Sequence, residues 1–420
     1  MLSVCVLVLL GMLLTVPAYG ADTPCLRADS SLMRWVGEEG LTVYPADAVG
    51  LFTDGSTTFE QLFADIDRAE RKVWVEFMIV ANDSIGNCLV SHMAAAAQRG
   101  CDVRLIVDDY KSRERHYGYH LPARQDSIRA LGIDLVLFDR FHYPWFNHVC
   151  RDHRKIVVID DQIGYIGGLN VADYYIHGNP QYGGWRDTHA RITGPAVEGL
   201  ALLFSQHYRR YGGLRPHTFA RYLYDPHFQP VLPSSASIVF FERSRVTTKL
   251  QSQTRRAIIA AFDAARDTIR FVTPYMLPTH TVRQAIIRAI DRGVHVEVLF
   301  SLVGDNPMLS YGNFNLARRL ARHGAHVYLY RGAFHHSKVM MVDGQFSMVG
   351  SANLNSRSLK WDYEASCFIF SPDVTHRLDS IFQCDKLLSD TLSVQGYRHQ
   401  FPRGQRVAGW WIDRVLTPFL

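Results

Sequence analysis

Two nine-residue stretches decide how this chain is interpreted: Asp152-His153-Arg154-Lys155-Ile156-Val157-Val158-Ile159-Asp160 and His335-His336-Ser337-Lys338-Val339-Met340-Met341-Val342-Asp343. Both contain His-x-Lys followed by four residues and Asp. Six residues further on, each stretch is followed by a small-residue turn that ends in Asn, Gly167-Gly168-Leu169-Asn170 and Gly350-Ser351-Ala352-Asn353. The chain has only seven lysines, so two such matches with equal downstream spacing indicate a repeated functional motif.

The spacing within each motif has a simple structural meaning. Residues two apart on a strand share a face, so His and Lys are expected to point into one cleft while the apolar residues continue the strand into the core. Glycines allow the backbone to approach a ligand closely, and each Asn offers an amide donor. Two copies facing each other would gather paired His, Lys and Asn side chains around one point, a cationic cradle for a phosphodiester with a nucleophile and an acid.

The chain also repeats on a larger scale. Residues 63–79 and 259–275 each read as an amphipathic helix that leads into an apolar strand. Each is followed by a helix ending in Arg-Gly, an alternating strand, and a further helix and strand. Such alternation is typical of βαβ units and helix-covered sheets. We therefore predict an α/β fold of two duplicated α/β/α sandwich units, residues 41–230 and 236–400, packed pseudo-twofold around one shared site.

Composition narrows the function classes. Apolar residues make up 47% and charged residues 20% of the chain, which is ordinary for globular proteins. With 45 Lys and Arg against 40 Asp and Glu, the net charge of +5 suits an anionic partner such as lipid headgroups, but is too small to indicate nucleic acid on its own. No two of the seven cysteines lie within four residues of each other, which excludes a CxxC zinc or redox motif. We expect buried thiols, with a disulfide as the alternative if the protein is exported.

The two ends of the chain carry apolar segments. Residues 2–16 form an apolar run that ends at Pro17 and is followed by Ala18-Tyr19-Gly20, which predicts a signal peptide or membrane anchor over 1–20. Residues 21–40 are expected to be a linker. The stretch 401–420 is rich in apolar and aromatic residues and is interpreted as a C-terminal interfacial segment, the alternative being a docked C-terminal helix.

These features together resemble the phospholipase D superfamily, whose two signature motifs are intact here. Within that superfamily the chain is most similar to bacterial cardiolipin synthases, on the stretches Arg151–Lys155, Trp185–His189, Thr273-Pro274-Tyr275 and Asn353–Ser358 leading to Glu364. Two positions depart from the synthase pattern: Asn355 stands where those proteins usually have Asp, and Asp362 where they usually have Asn. The departures bear on the substrate more than on the reaction type.

The resemblance implies roles for the motif residues. One histidine attacks phosphorus to form a phosphohistidine, and the other protonates the leaving alcohol and then deprotonates the incoming one. Family precedent favours His153 as the nucleophile and His336 as the acid and base, although the symmetry of the motifs leaves the reverse open. The groups implied to bind the non-bridging oxygens are Lys155, Lys338, Asn170 and Asn353, so that no metal and no cofactor are required.

The carboxylates are assigned by the same resemblance. The family pattern is crossed: Asp187 orients His336, and Glu364 orients His153, with an ordinary salt bridge to Arg186 as the alternative for Asp187. Asp160 and Asp343 complete the catalytic motifs, yet they look structural, closing the strand end by hydrogen bonds.

The sequence leaves the substrate open between lipid and nucleic acid. Four of the last six residues of the segment 138–146 are aromatic, and such residues either stack on bases or lie at an acyl–headgroup boundary. The absence of Lys-rich stretches argues against nucleic acid. The first hypothesis is a membrane-bound phosphatidyltransferase that joins phosphatidylglycerol to a second phospholipid and releases glycerol. The alternatives are a hydrolase giving phosphatidic acid, an endonuclease, or a binding protein without activity.

The expected location is the surface of a bacterial cell membrane, on the outer face if the N-terminal segment directs export. The membrane and an anionic phospholipid are therefore the predicted partners. Because the duplication supplies both halves of the site, a dimer is not required for activity.

Overall fold

The computed structural model describes residues 30–113, 124–138, 150–181, 183–212, 235–244 and 252–417. The predicted signal or anchor segment 1–20, most of the aromatic segment 138–146 and the joint near 230–234 lie outside these ranges. Among the helices within them, none is both long enough and apolar enough to cross a bilayer. The five cysteines within them are free thiols.

Seven strands form the first sheet. They are β2 (Ala48–Phe52), β3 (Lys72–Phe77), β4 (Asp102–Asp108), β5 (Asp134–Phe138), β6 (Lys155–Ile159), β7 (Ile163–Gly167) and β9 (His189–Thr193). Their spatial order is β2-β9-β7-β6-β3-β4-β5, with β3, β4 and β5 parallel and the other neighbours antiparallel. The helices of this half are α2 (Gly55–Asp67), α3 (Ser84–Gln98), α4 (Asp109–Arg113), α5 (Gln125–Ala130), α6 (Tyr174–His177) and α7 (Val197–Gly212).

The second sheet has nine strands. They are β1 (Val43–Ala46), β10 (Ala236–Arg243), β11 (Thr268–Val272), β13 (His295–Ser301), β14 (His326–Tyr330), β16 (Val339–Val342), β17 (Phe346–Gly350), β19 (Glu364–Phe370) and β20 (Ser389–Thr391). Their order is β1-β10-β19-β17-β16-β11-β13-β14-β20, and β11, β13 and β14 are parallel.

The helices that accompany the second sheet are α1 (Ser30–Glu38), α8 (Gln253–Ala264), α9 (His280–Asp291), α10 (Pro307–His323), α11 (Ser356–Lys360), α12 (Pro372–Leu387), α13 (Gly396–Gln400) and α14 (Arg403–Trp411), the last continued by a π-helical turn over Ile412–Leu416. Local sequence explains where several helices begin. Asp54, Asp83 and Asn306 each accept a backbone N–H of the first turn, which satisfies a donor that has no partner within the helix.

The two halves repeat one plan, so the predicted α/β duplication is confirmed. In each half a helix leads into a central strand, β3 or β11, which is followed by a helix and a parallel neighbour. Apolar side chains of both sheets, among them Trp74, Val158, Met341 and Val349, pack into one core together with helices α7 and α12. Two further cores lie between each sheet and its other helices. Burial on both faces of a sheet explains the nearly continuous apolar runs of the central strands.

Three segments near the ends differ from the predicted boundaries. Strand β1 was placed in the first unit, but it pairs antiparallel with β10 of the second sheet. Helix α1, within the predicted linker, packs Leu32 and Val36 into the core of the second half, because residues four apart lie on one face of a helix. At the other end, Ile412 is buried and Asp413 accepts a hydrogen bond from Asn315 of α10 at 2.8 Å, so this stretch is a docked helix that also exposes aromatic residues.

Two short parallel ribbons lie close to the motifs. Strand β8 (Trp185–Arg186) of the first half pairs with β15 (Phe334–His335) of the second. Within the second half, β12 (Met276–Leu277) pairs with β18 (Leu354–Asn355). An isolated bridge between Asp152 and Tyr363 joins the halves again. These two strand contacts between the halves both involve residues next to a motif histidine.

Candidate active site

Each motif lies at the beginning of a central strand. Lys155 is the first residue of β6, and Lys338 directly precedes β16. The hairpin partners β7 and β17 run back toward the start of the motif strands, which brings the turns ending in Asn170 and Asn353 beside them. The glycines of these turns are needed because neighbouring protein atoms leave no room for a side chain. A Cβ on Gly168 would lie 2.1 Å from Asp187 Oδ1, so glycine makes room for a carboxylate, whereas the sequence suggested room for a ligand.

Asp160 and Asp343 lie at the far ends of the motif strands. Each has a positive φ, 54° and 52°, and each carboxylate accepts three backbone N–H groups at 2.8–2.9 Å, those of Glu70, Arg71 and Lys72 or those of Arg266, Asp267 and Thr268. They fasten the turns between α2 and β3 and between α8 and β11. Neither lines the cavity that contains the histidines, which is consistent with a structural role within the motif.

Each histidine contacts a carboxylate of the other half. His153 Nδ1 lies 3.0 Å from Glu364 Oε2, and His336 Nδ1 lies 2.6 Å from Asp187 Oδ2. A carboxylate that accepts the Nδ1 proton leaves the Nε2 lone pair available for chemistry. Arg186, the alternative partner considered for Asp187, pairs with Asp385 at 2.8 Å instead.

Backbone contacts between the halves hold the same two histidines in place. The His153 N–H donates to Tyr363 O at 2.9 Å, and the His336 N–H donates to Arg186 O at 2.7 Å. The carboxylates are themselves held: Ser351 Oγ donates to Glu364 Oε2 at 2.5 Å, and the Thr188 N–H donates to Asp187 Oδ1 at 2.8 Å. The position and the tautomer of each imidazole are therefore set by groups that do not line the cavity.

Burial controls the charges at this site. It lowers the pKa of His153 and of His336 well below the ordinary value, and the positive charges of Lys155 and Lys338 lower both further. Both imidazoles are therefore neutral at neutral pH, and a neutral imidazole is the nucleophilic form. Burial likewise raises the pKa of Glu364 to about 7 and raises that of Asp187.

The two lysines lie behind the histidines. Lys155 Nζ donates to His153 O at 2.6 Å, and Lys338 Nζ donates to His336 O. Neither ammonium lines the cavity, although the sequence led us to expect both at the phosphate oxygens. Burial lowers the pKa of Lys155 to about 8 and that of Lys338 to about 7, so a nearby anion would favour their charged forms.

Lys338 makes a second close approach. Its Nζ lies 2.8 Å from His336 Nδ1, the atom that also faces Asp187. A ring nitrogen has one in-plane hydrogen-bonding position, so Nδ1 either donates to the carboxylate or accepts from the ammonium. The contact with Asp187 is the shorter, and we assign the Nδ1 proton to that bond.

Both motif asparagines reach the cavity. Asn170 is largely engaged: its Oδ1 accepts the Ile79 N–H at 3.2 Å and its Nδ2 donates to Tyr175 Oη at 2.7 Å. Asn353 is 5% exposed, and its Oδ1 has no hydrogen-bond partner among the described residues. Because a buried acceptor without a partner is costly, Asn353 Oδ1 is the better placed of the two asparagine oxygens to accept a hydrogen bond from a ligand hydroxyl, whereas only its Nδ2 could donate to a phosphate oxygen.

The histidines open into a cavity of about 310 Å³. Sequence reasoning did not single out several of its lining residues, namely Met78, Lys111, Tyr174, Tyr175 and Asp305. Trp185 also lines it, with its ring centroid 5.0 Å from that of His336. For two of these residues the sequence did contain a signal. Tyr174 and Tyr175 follow Asn170 by only four and five residues, so a turn after Asn170 keeps them close to the site. Apolar and aromatic walls with a few polar groups are typical of ligand sites.

The two departures from the synthase pattern both line this cavity. Asn355 caps α11 by accepting the Ser358 N–H at 2.9 Å, a function that Asp performs equally well. Asp362 accepts the Arg151 N–H at 2.9 Å and pairs with Arg357 Nε at 2.8 Å. Asp362, which lines the cavity together with Asp305, is therefore a carboxylate already paired with a cation.

One cluster of side chains could hold a metal ion on geometry alone. Ligand atoms of Glu76, Asp152 and His207 lie within 4.8 Å of one another in a buried position. His207 Nδ1 already contacts Glu76 Oε1 at 2.6 Å, and Arg154 Nε lies 4.0 Å from the same oxygen. The guanidinium supplies positive charge to the cluster, which also weakens the attraction for a second cation.

Comparisons with known proteins show which family the chain resembles. The family model described as "Cardiolipin synthase, PLD-like domain" matches residues 62–180 and 258–386. The cardiolipin synthase of Oceanobacillus iheyensis is 29% identical over 374 residues, covering 89% of this chain and 75% of that protein. The cardiolipin synthase of Geobacillus kaustophilus is 29% identical over 377 residues, covering 89% and 73%.

A solved structure shares the fold. The phosphatidylserine synthase of Haemophilus influenzae Rd KW20 superimposes with a TM-score of 0.72 over 93% of this chain and 100% of that chain, at 16% sequence identity. At that level of identity the likeness shows the architecture alone. It agrees with the duplicated α/β plan built here from the strands and their register.

Proposed function

The chain belongs to the cardiolipin synthase family of phospholipase D-like proteins and is a phosphatidyltransferase of that superfamily, and on this premise we propose that it joins phosphatidylglycerol to a second phospholipid with release of glycerol. The observation that supports this most is the pair of crossed His–carboxylate contacts, at 3.0 and 2.6 Å, on histidines that line one cavity. One imidazole can then attack phosphorus while the other transfers protons to and from the alcohols.

In the first half of the proposed reaction, His153 Nε2 attacks the phosphorus of phosphatidylglycerol. An N–P bond forms, and the bond between phosphorus and the glycerol headgroup oxygen breaks. His336, protonated as the substrate binds, gives its Nε2 proton to that oxygen, and glycerol leaves. A covalent intermediate divides one difficult displacement into two easier ones.

In the second half, a hydroxyl of another phospholipid replaces glycerol. His336 Nε2 takes the hydroxyl proton, the oxygen attacks phosphorus, and the N–P bond to His153 breaks. With phosphatidylglycerol as the acceptor the product is cardiolipin, and His336 is again protonated for the next cycle. The two steps are mirror images, so one acid–base residue serves both.

Charge stabilisation is assigned to the lysines and asparagines. Lys155 and Lys338 contribute positive charge behind the two histidines, and Asn353 offers its amide to a non-bridging oxygen. Fixed charges in a buried site act more strongly than in water and need no rearrangement during the reaction. An anionic phosphodiester also raises the pKa of both imidazoles, which provides the protonated His336 that the first step needs.

The aromatic wall supports transfer over hydrolysis. Tyr174, Tyr175, Trp185 and Tyr275 line the cavity, and they favour lipid and alcohol over bulk water around the intermediate. The chain's net positive charge of +5 further supports a reaction at the surface of a membrane rich in anionic lipid.

The test is to incubate the purified protein with phosphatidylglycerol vesicles and to identify the lipids by mass spectrometry, with the His153→Ala variant beside it. Cardiolipin and free glycerol from the wild type, and neither from the variant, are expected. The matched control is His92→Ala, because His92 is partly exposed and pairs with Asp67 away from the cavity. Phosphatidic acid as the only product would overturn the transferase proposal in favour of a phospholipase. No lipid product would overturn it altogether and make single- and double-stranded DNA the next substrates to try.

A further inference from the structure

A second cavity, of about 300 Å³, lies apart from the histidines. Its walls come from the start of α9, from α11 and from the π-helical turn at the C-terminal end, and they include Thr279, Arg283, Ser356, Lys360, Asp413 and Arg414. The short helix α11 separates it from the reaction cavity. Ser356 and Lys360 face the second cavity, whereas Arg357 and Ser358 line the first.

The charge of this cavity is positive. Three cationic side chains, those of Arg283, Lys360 and Arg414, face one carboxylate, that of Asp413. Asp413 is engaged from outside the cavity, because Arg319 and Asn315 each donate to its Oδ2 at 2.8 Å. Arg283 reaches the same carboxylate only at 3.8 Å. Even without Lys360, the two arginines of the cavity, Arg283 and Arg414, outnumber its one carboxylate, which is already engaged by Arg319 and Asn315.

The guanidinium of Arg283 is the clearest sign of this excess of positive charge. Its Nε is buried and has no hydrogen-bond partner among the described residues. Burial lowers the pKa of Arg283, and the nearby charges of Arg319 and Arg414 oppose the favourable effect of Asp413. A guanidinium in this situation gains from a fork of hydrogen bonds to an oxyanion.

The backbone adds a second attraction for an anion. Helix α9, twelve residues long, begins at the cavity, and its N-cap Thr279 makes no capping hydrogen bond with its side chain. The hydroxyl of Thr279 lies 3.1 Å from that of Thr281 instead. The start of a helix presents N–H groups and the positive end of the helix dipole, a combination that binds phosphate groups.

The surroundings indicate what carries the anion. Arg414 belongs to the C-terminal segment, in which Trp410, Trp411 and Val415 are 46%, 54% and 42% exposed. Neighbouring tryptophans on a surface that also carries arginine are typical of contact with the headgroup layer of a bilayer. The cavity thus lies beside a surface suited to lipid.

We propose that this cavity binds the phosphate group of a phospholipid that the enzyme does not convert. The bound lipid holds the C-terminal face, defined by Trp410, Trp411 and Val415, on the bilayer while α11, which forms a wall of both cavities, keeps the reaction cavity next to the membrane. This goes beyond the proposed reaction, because the lipid is neither donor nor acceptor.

The test uses the double variant Arg283→Gln/Arg414→Gln. Its matched control is Arg288→Gln/Arg331→Gln, which removes the same charge from side chains that are 49% and 58% exposed and do not line the cavity. Each purified full-length protein is sedimented with vesicles of phosphatidylcholine, alone or mixed equally with phosphatidylglycerol. Circular dichroism checks folding, and the single variant Arg414→Gln serves if the double variant is unstable.

We expect the double variant to bind the mixed vesicles at least tenfold more weakly than the wild type, about 1.4 kcal/mol, and the control to differ little from the wild type. Equal losses in both double variants would show non-specific attraction and overturn the proposal. Inorganic phosphate is titrated in parallel while thermal unfolding is followed. If the double variant loses only the stabilisation by phosphate and still binds vesicles, the ligand is free phosphate and the lipid assignment is wrong.

Failure of the proposed reaction is distinguishable from failure of this site. Vesicle binding is measured without turnover, so a wild type that makes no cardiolipin can still show the specific loss in the double variant. Conversely, if the protein makes cardiolipin and the double variant binds vesicles as the wild type does, only the proposal of a second lipid site is wrong.

Discussion

Replacing Asp187 by Asn should block the second half of the reaction more than the first. The substitution keeps the shape of the side chain, but the Thr188 N–H donates to Oδ1 at 2.8 Å and therefore requires an acceptor there. The amide oxygen takes that position, so the amide NH2 replaces Oδ2, which lies 2.6 Å from His336 Nδ1. An N–H group facing Nδ1 forces the imidazole proton onto Nε2.

The tautomer then decides which step fails. An imidazole protonated at Nε2 can still deliver a proton to the leaving glycerol, although weakly. Once the ring has taken up a proton from solvent, again at Nε2, it has no lone pair there with which to accept the proton of the incoming hydroxyl. Inverting the tautomer in a comparable Asp–His pair lowers kcat about 10⁴-fold, about 5.5 kcal/mol. We expect a loss of about 10³ to 10⁴ in turnover and accumulation of the phosphohistidine.

The assay is a rapid incubation with phosphatidylglycerol, stopped with denaturant near neutral pH because the N–P bond is lost in acid, followed by intact-protein mass spectrometry for a covalently bound phosphatidyl group. The matched variant is Glu364→Gln, because Glu364 holds His153 at 3.0 Å in the same manner. It should lose similar activity without accumulating the intermediate, since the nucleophile itself is then in the wrong tautomer. Less than about a tenfold loss in Asp187→Asn would refute the orienting role. Accumulation in Glu364→Gln but not in Asp187→Asn would reverse the assignment of nucleophile and acid.

Three other outcomes are expected. Asp160→Ala should lower the free energy of unfolding in urea by about 2–4 kcal/mol, because three backbone N–H groups lose their acceptor; an unchanged midpoint would contradict this. Burial raises the pKa of Glu76 from 4.5 to about 7, so its contribution to stability is complete below the ordinary value and is lost as the pH rises through about 7. Glu76→Gln should therefore show a flatter decline of the melting temperature over that range, and parallel curves would argue against it. EDTA should leave the rate unchanged, and inhibition reversed by zinc would overturn a metal-free mechanism.

The sequence predicted what depends on local spacing. Equal intervals from His153 to Asn170 and from His336 to Asn353 require equal hairpins, and hairpins of equal length place their ends alike. The duplication and the α/β class followed from the alternation of helix and strand patterns. The family resemblance supplied the crossed pairing of Asp187 and Glu364, which no spacing within one half could indicate.

Other features depend on tertiary contacts that a linear pattern does not contain. The four residues of β1, Val43–Ala46, carry no alternating pattern that assigns them to one sheet, so the sequence did not reveal that the strand pairs with β10. The sequence likewise did not reveal where the ammonium groups of Lys155 and Lys338 lie. A strand pattern assigns them a face, but the nearby histidine carbonyls decide where the flexible side chains end. The unpartnered Arg283 Nε likewise arises only when α9 and the C-terminal turn meet.

The crossed carboxylates have a consequence for the chain while it is being made. Glu364 lies 211 residues after His153 in the chain, and His336 lies 149 residues after Asp187. A ribosome that has released the first half has therefore produced a histidine whose orienting carboxylate is not yet translated. Domains generally fold as they emerge, but the first half at that stage lacks both the second motif histidine and the carboxylate that orients its own histidine. On the proposed mechanism, activity requires that Glu364, the first residue of β19, has been synthesised, so a chain truncated before it would convert no lipid.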